Sequence, residues 1–251
     1  MSLYGVRDAI LDGKRVIAFT GAGVSVPSGI PDFRSRDGIW AKYPPEEFGT
    51  LEAFLLDPPR WWGFYRALSR AFAQVAPNPA HQVLAELERM GLLETVITQN
   101  VDRLHQRAGN GHVIELHGTD RRLKCVACQT TIEAEAPLEG DLPECARCGQ
   151  ILKPDVVLFG EALPPGVIEE AQELARQSDV CLVVGTSAVV YPAASIPELV
   201  ARGGGTVCQF DLESTDLTHL GHVRWFVQGP AEETLPRLLD LVQLERGAGS
   251  L

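Results

Sequence analysis

Arg15-Val-Ile-Ala-Phe-Thr20 runs without a break into Gly21-Ala-Gly-Val-Ser-Val-Pro-Ser-Gly-Ile-Pro-Asp-Phe-Arg34. The first piece is a short apolar run of the kind that fills a strand buried on both faces. The second places glycines where that strand ends, and glycine lets backbone amides approach a pyrophosphate at a helix N-terminus. Three further runs repeat the first pattern: Thr95-Val-Ile-Thr98, Val180-Cys-Leu-Val-Val-Gly185 and Thr206-Val-Cys-Gln-Phe-Asp211. Helical patterns lie between and after them, over 80–90, 101–108, 165–177, 192–201 and 231–244. Strands alternating with helices predict an α/β fold with a doubly wound parallel, Rossmann-like sheet. Such a sheet binds ligand at the carboxyl ends of its strands.

The glycine loop alone does not settle a ligand. The strict G-x-G-x-x-G fingerprint fails because its third position is Val26, and a mere tight turn fits equally well. Its continuation adds Ser25 and Arg34, which can bind phosphate, and Phe33, a flat face for a ring or for shielding a reactive carbon. Thr98-Gln-Asn-Val-Asp-Arg-Leu-His105 puts polar side chains at a second strand end. Asn100 and Asp102 there fit helix capping as well as they fit a ligand crevice. His105 falls inside the helical pattern, where packing is the better reading. His117 follows the apolar pair Val113-Ile114, and an imidazole with a pKa near ~6.5 can take a proton at neutral pH. The histidines at 81, 112, 219 and 222 are read as structural. Gly185-Thr-Ser187 and Asp211-Leu-Glu213 end two more strands and suit phosphate or ribose.

Two stretches break the alternation. Residues 35–76 are helical and aromatic-rich, with Trp40, Phe48, Phe54, Trp61, Trp62, Phe64 and Tyr65. Residues 119–153 hold Cys125, Cys128, Cys145 and Cys148, two Cys-x-x-Cys knuckles separated by sixteen residues. That spacing is a zinc-site spacing, and four sulfur ligands leave no open position, so the ion holds the fold and takes no part in chemistry. Neither stretch is large enough for much core of its own, so both are drawn as insertions forming one small lobe, a zinc ribbon and a helical insertion.

The chain has 251 residues, a formal net charge of −11, 45% hydrophobic and 22% charged residues. The negative charge argues against nucleic acid, which wants clustered Lys and Arg; it would favour a cationic partner such as a lysine-rich peptide, and general solubility accounts for it at least as well. No apolar run reaches the ~20 residues needed to cross a bilayer, and 1–14 reads as an amphipathic helix without a signal-peptide core. A monomer in the cytoplasm, with no membrane partner, is expected.

Together these residues resemble the sirtuins, the NAD-dependent protein deacylases, over nearly the whole chain. The resemblance rests on the Gly21-to-Arg34 run, Gln99-Asn-Val-Asp102, Leu116-His-Gly118, the four cysteines, Val157-Leu-Phe-Gly-Glu161, Gly185-Thr-Ser187 and Val189-Val-Tyr-Pro192. The wording of Asp102-Arg-Leu-His-Gln-Arg-Ala-Gly109 and Val190-Tyr-Pro-Ala-Ala194 looks most like bacterial deacetylase members. The resemblance implies one catalytic domain over 1–251. Its Rossmann-like lobe would comprise 1–34, 77–118 and 154–251, and its small lobe 35–76 and 119–153.

It also implies a deacetylase that consumes NAD and releases nicotinamide, free lysine and O-acetyl-ADP-ribose. His117 and Asn100 would be catalytic, with His117 taking a proton through the ribose hydroxyls. NAD would contact Gly21, Ala22, Gly23, Ser25, Val26, Ile30, Asp32, Phe33, Arg34, Gln99, Asn100, Val101, Asp102, His117, Gly185, Thr186, Ser187, Asp211, Leu212, Glu213 and Ala231. Asp102 would accept from the carboxamide of a nicotinamide pocket that includes Ile30, Asp32, Phe33 and Val101. An acetyl-lysine peptide would add as a strand beside Val157, Phe159 and Gly160 on one side and Val189 and Tyr191 on the other.

Three departures from the family pattern stand out. Arg103 replaces a common glycine, and its expected place on the following helix makes it tolerable. Asp211 replaces a usual asparagine and adds charge near the pyrophosphate. Leu68 stands where members that prefer succinyl or malonyl lysine carry an arginine, three residues after the tyrosine matched by Tyr65. Arg66 and Arg70 point elsewhere on a helix, and a buried acyl carboxylate without a guanidinium is costly, so acetyl or another neutral acyl group is expected. The rival readings are an ADP-ribosyltransferase, a silent NAD sensor, a zinc-ribbon nucleic-acid binder and a hydride-transferring dehydrogenase.

Overall fold

The computed structural model describes residues 2–134 and 140–248. Residues 135–139 of the expected zinc module, and Met1 and 249–251 of the expected domain, lie outside the described residues. Strands form at β1 (Val16–Thr20), β2 (Thr95–Thr98), β3 (Val113–Glu115), β4 (Gly118–Cys125), β5 (Thr131–Glu133), β6 (Leu152–Val156), β7 (Val180–Val184), β8 (Thr206–Asp211) and β9 (Trp225–Gln228). Six of them make one sheet in the order β3-β2-β1-β7-β8-β9. Every pairing in it is parallel.

The strand sequences explain the burial. Successive side chains point to opposite faces, so a strand covered on both sides must be apolar throughout. Val16 and Ala18 of β1, with Val180, Leu182 and Val184 of β7, pack against helices Ser2–Asp12, Pro79–Arg89 and Ala231–Ala248. Ile17, Phe19, Cys181 and Val183 face the other layer, helices Val167–Arg176 and Ser195–Arg202. Phe19 and Phe210 are fully buried, each contributing roughly 1.5–3 kcal/mol of transfer free energy. The doubly wound sheet read from the sequence is the sheet that forms. Strand order reverses between β1 and β7, so their carboxyl ends flank the switch point where such sheets hold ligands.

Strands β4, β5 and β6 form a second, antiparallel sheet in the order β5-β4-β6. A single apolar cluster joins Phe48, Phe54, Trp61, Trp62 and Tyr65 of the aromatic insertion to Leu123, Cys125, Cys145 and Leu152 of the cysteine module. Trp61 stacks on Tyr65 at 5.5 Å, and Trp62 Nε1 donates to the Leu152 carbonyl at 3.1 Å. Helix Pro58–Gln74 starts where the Asp57 carboxylate accepts from the Arg60 amide, with proline in its first turn. Among the described residues no helix is long and apolar enough to cross a membrane.

Three local expectations are corrected. The glycine loop continues into a 3-10 helix, Ala22–Ser28, that contains Pro27 and that none of the helical patterns covered. The helix after β2 spans Leu104–Ala108 and starts later than the pattern suggested. Arg103 therefore lies before that helix in the left-handed region, with φ 62°, the conformation that makes glycine common there.

Candidate active site

The loops after β1 and β7 meet at the switch point. The Gly23 amide donates to the Gly185 carbonyl at 2.9 Å, and the Gly21 amide to the Val184 carbonyl at 3.3 Å. A Cβ on Gly185, whose φ is 57°, would lie 2.3 Å from the Val24 nitrogen, and one on Gly23 would lie 2.7 Å from the Gly185 oxygen. The glycines are thus required by the close approach of two loops, before any ligand arrives. Gln99 bridges the same loops, its Nε2 donating to Thr186 Oγ1 at 2.9 Å and to the Thr20 carbonyl at 3.3 Å.

Below this floor lies a buried polar network. Thr20 Oγ1 donates to Thr98 Oγ1 at 2.8 Å, and Thr98 Oγ1 accepts from the Asn100 amide at 3.1 Å. Asn100 Nδ2 donates to the Gly21 carbonyl at 3.1 Å and to Ser25 Oγ at 3.2 Å. Ser25 Oγ donates to Asp102 Oδ2 at 2.6 Å. Asp102 Oδ1 accepts from the Leu104 amide at 3.0 Å. Burial raises the Asp102 pKa, and the bonds from Ser25 and Leu104 oppose that rise. Ser25, expected on phosphate, is fully buried and engaged with Asp102. Asp102 lies one residue before Arg103, the N-cap of the next helix, and its side chain accepts from both the Leu104 amide and Ser25.

The other expected residues make local contacts. Ile30 and Val101 pack with Phe72 and Leu104. Asp32 Oδ1 accepts from the Arg34 and Ser35 amides at 2.8 and 2.7 Å, which shapes the turn that presents Phe33. Phe33 rests 5.1 Å from Trp40. Ala22 is half-buried; Val26, Arg34, Ser187, Leu212 and Glu213 are exposed. Asp211 ends β8, accepts from the Leu212 amide at 2.8 Å, and has its pKa raised by burial. Ala231 opens the last helix.

His117 stands between the two sheets, directly before β4. Its Nδ1 lies 3.0 Å from the Gln99 carbonyl. A carbonyl can only accept, so Nδ1 carries the proton and Nε2 keeps its lone pair. Burial lowers the His117 pKa and outweighs the Gln99 bond. The next residue, Gly118, has φ 80°, and a Cβ there would lie 2.0 Å from the Asp155 carbonyl oxygen. Gly118 pairs with Val156 across β4 and β6, and the Val157 amide donates to the His117 carbonyl at 2.8 Å. One strand pair therefore places His117 beside the 157–160 segment. Phe159, Val189 and Tyr191 are exposed, and the Tyr191 hydroxyl donates to Glu198.

Sequence reasoning missed two supports of this region. Thr20 and His105 bond each other beneath the floor, with Thr20 Oγ1 to His105 Nε2 at 2.9 Å; a threonine closing each of the first two strands was the signal. Lys153 ties the 157–161 turn, and no local pattern marks a buried lysine.

The sulfurs of Cys125, Cys128, Cys145 and Cys148 lie within 4.8 Å of one another. Three of the separations are 3.5, 3.6 and 3.5 Å. A tetrahedral zinc with Zn–S near ~2.3 Å needs sulfur edges near ~3.8 Å, so the donor set fits the ion. Both knuckles turn alike, with the residues that follow them, Gln129 and Gly149, at φ 58° and 74°.

A parallel sheet with glycine loops meeting at its switch point, and a four-cysteine module beside it, defines a Rossmann-type nucleotide-binding protein. Residues 21–192 match the Sir2 family, and the chain belongs to that family. It is 47% identical over 244 residues to the NAD-dependent protein deacylase of Pyrococcus abyssi, covering 95% of this chain and 97% of the relative. It is 45% identical over 242 residues to the NAD-dependent protein deacetylase of Saccharolobus solfataricus, with 95% and 96% covered. Both relatives are archaeal, whereas the sequence wording resembled bacterial members. The crystal structure of a Sir2 homologue–NAD complex matches with a TM-score of 0.90 at 43% identity, over 96% of this chain and 94% of that one.

Proposed function

We propose that the chain is an NAD-dependent protein-lysine deacetylase that consumes NAD and one water per acetyl-lysine and yields nicotinamide, free lysine and O-acetyl-ADP-ribose. The observation that carries this is His117, a half-buried imidazole bonded through Nδ1 to Gln99 at the glycine floor and through its carbonyl to the amide that opens the 157–160 edge. NAD supplies a ribose carbon whose bond to nicotinamide gives way to the acyl oxygen. The protein's own contribution is to bind, orient and move a proton.

In this reading the glycine loop at 21–23, its Gly21 and Gly23 amides spent on the β7 loop, lines the pyrophosphate side with Gln99, Thr186 and Ser187, while Asp211, Leu212, Glu213 and Ala231 line the adenosine end. Asp102, steadied by Ser25 and Leu104, accepts from the nicotinamide carboxamide. Ile30, Asp32, Val101 and Phe33 wall that pocket. Asn100 keeps the Gly21 loop and Ser25 in register. His117 Nε2 draws a proton through the ribose hydroxyls, and its lowered pKa keeps it unprotonated at neutral pH. The peptide pairs between Val157, Phe159 and Gly160 and the Val189–Tyr191 side.

The four cysteines hold one structural zinc in a small lobe made of 35–76 and 119–153. Four cysteines committed to a metal site suit a reducing, cytoplasmic setting, and we assign a monomer without nucleic-acid or membrane partners. The acyl group is acetyl or another neutral one: the Arg66 guanidinium lies over Trp62 and donates to the Asp141 carbonyl at 2.9 Å, and Leu68 is apolar. Mass spectrometry of an acetyl-lysine peptide, incubated with and without NAD, tests the reading. Free lysine with O-acetyl-ADP-ribose is expected; ADP-ribose bound covalently to protein, or turnover without NAD, overturns it.

A further inference from the structure

Lys153 is an anomaly for a surface-type residue. Its side chain is only 4% exposed, and its ammonium uses all three donors. They reach the Pro154 carbonyl at 3.0 Å, the Val156 carbonyl at 2.6 Å and Glu161 Oε2 at 3.0 Å. The same Glu161 oxygen accepts from the Leu158 amide at 2.9 Å. Burial lowers the Lys153 pKa even against the pull of Glu161.

The segment so gripped belongs to neither sheet. After β6 the chain turns over 157–161 through Gly160, at φ 91°. Four tethers hold it. The Val157 amide reaches the His117 carbonyl at 2.8 Å, the Phe159 amide reaches the Gly49 carbonyl at 2.8 Å, and the Phe159 carbonyl accepts from the Leu51 amide at 3.0 Å. The fourth is the Lys153–Glu161 pair at 3.0 Å, and it alone comes from the cysteine module: Lys153 follows Leu152, the register partner of Cys125. A buried ion pair adds little net stability over apolar residues of the same volume, so stability by itself does not account for this one. What an ion pair with fixed acceptors supplies is one geometry.

We propose that Lys153 is a positioning residue for the peptide substrate. Through Glu161 its ammonium sets the 157–161 turn that the acyl-lysine peptide pairs with, and through β6 it makes the shape of that turn depend on the cysteine module. The proposal rests on the deacetylase reading. It does not place Lys153 in contact with substrate.

The test uses the full, zinc-loaded chain with Lys153→Met, Lys153→Arg and the double variant Lys153→Met/Glu161→Leu. Peptide KM, NAD KM and kcat are measured, with anisotropy of a labelled acetyl-lysine peptide and zinc content alongside. For Lys153→Met, peptide KM and Kd should rise about tenfold or more, since the half-buried Glu161 carboxylate loses its partner. NAD KM should stay within about twofold, the split that separates positioning from general damage. Lys153→Arg should recover most of the loss. The double variant should regain thermal stability yet still bind peptide weakly, because an apolar pair leaves the Leu158 amide unheld. A double variant with native peptide KM, peptide and NAD KM rising together, or failure of both Met variants to fold would each overturn the proposal. A native chain that binds NAD but neither binds nor turns over acetyl-lysine peptides would instead remove the deacetylase reading itself.

Discussion

At His117 a neighbour's carbonyl decides which nitrogen can act. Because Gln99 holds Nδ1, replacing the ring removes the base without touching the sheet. His117→Ala should cut deacetylation by about 10²–10⁴-fold while circular dichroism and NAD binding persist; native turnover would refute the assignment. The pH dependence follows from the lowered pKa. The ring works unprotonated, so kcat/KM should hold at neutral pH and fall only below the ordinary histidine value of about 6.5. A pH–rate profile with its acid limb above that value would contradict the burial argument. Leu68 packs against both the Tyr65 cluster and the Ile30 cluster. Leu68→Arg should therefore raise activity on succinyl-lysine relative to acetyl-lysine, and an unchanged ratio in paired assays would count against the acyl argument. The residue scale also shows where sequence reading stops. Asp102 and His117 were legible as types at strand ends. Ser25 as the partner of Asp102 was not, since the two are 77 positions apart and only the fold brings them together.

The cysteine module is the element most exposed to a single chemical insult. Its sulfurs anchor a cluster that includes Trp62 and Leu152, and its strands carry His117 and Val157 at adjacent ends. Replacing Cys145 and Cys148 by Ala, or stripping metal with a chelator, forfeits metal-binding free energy on the order of 10 kcal/mol. Unfolding or aggregation is expected by near-UV dichroism and light scattering; a folded, active, zinc-free protein would contradict it. Elements differed in how far they could be read. β1, β2, β7 and β8 are continuous apolar runs and announced themselves. β3 and β9 are three and four residues long and only partly buried, so neither pattern nor length distinguished them from loop. Residue Arg103 took a backbone shape that no periodicity encodes.

Over the whole molecule, two buried rings add to acid sensitivity. His81 and His105 lie 4.8 Å apart and are essentially inaccessible to solvent. Burial lowers the His81 pKa to about 4, and lowers that of His105 well below its usual value with help from His81. Both stay neutral in the fold, whereas the unfolded chain takes up protons near pH 6.5, so their stabilising effect is complete above 6.5 and is lost as pH falls toward 4. For His81 alone this amounts to roughly 3 kcal/mol. Urea midpoints should drop between pH 7 and pH 5, and His81→Leu should flatten that drop; an equally steep variant would exclude the ring as its source.

The mutual contact of Gly23 and Gly185 has a thermodynamic consequence. Two loops already locked against each other have little disorder left to lose, so a dinucleotide meeting them incurs a small ordering cost. Calorimetry of NAD binding should then give a heat-capacity change accounted for by the ligand's own buried surface, without the extra contribution of a coupled loop-folding event.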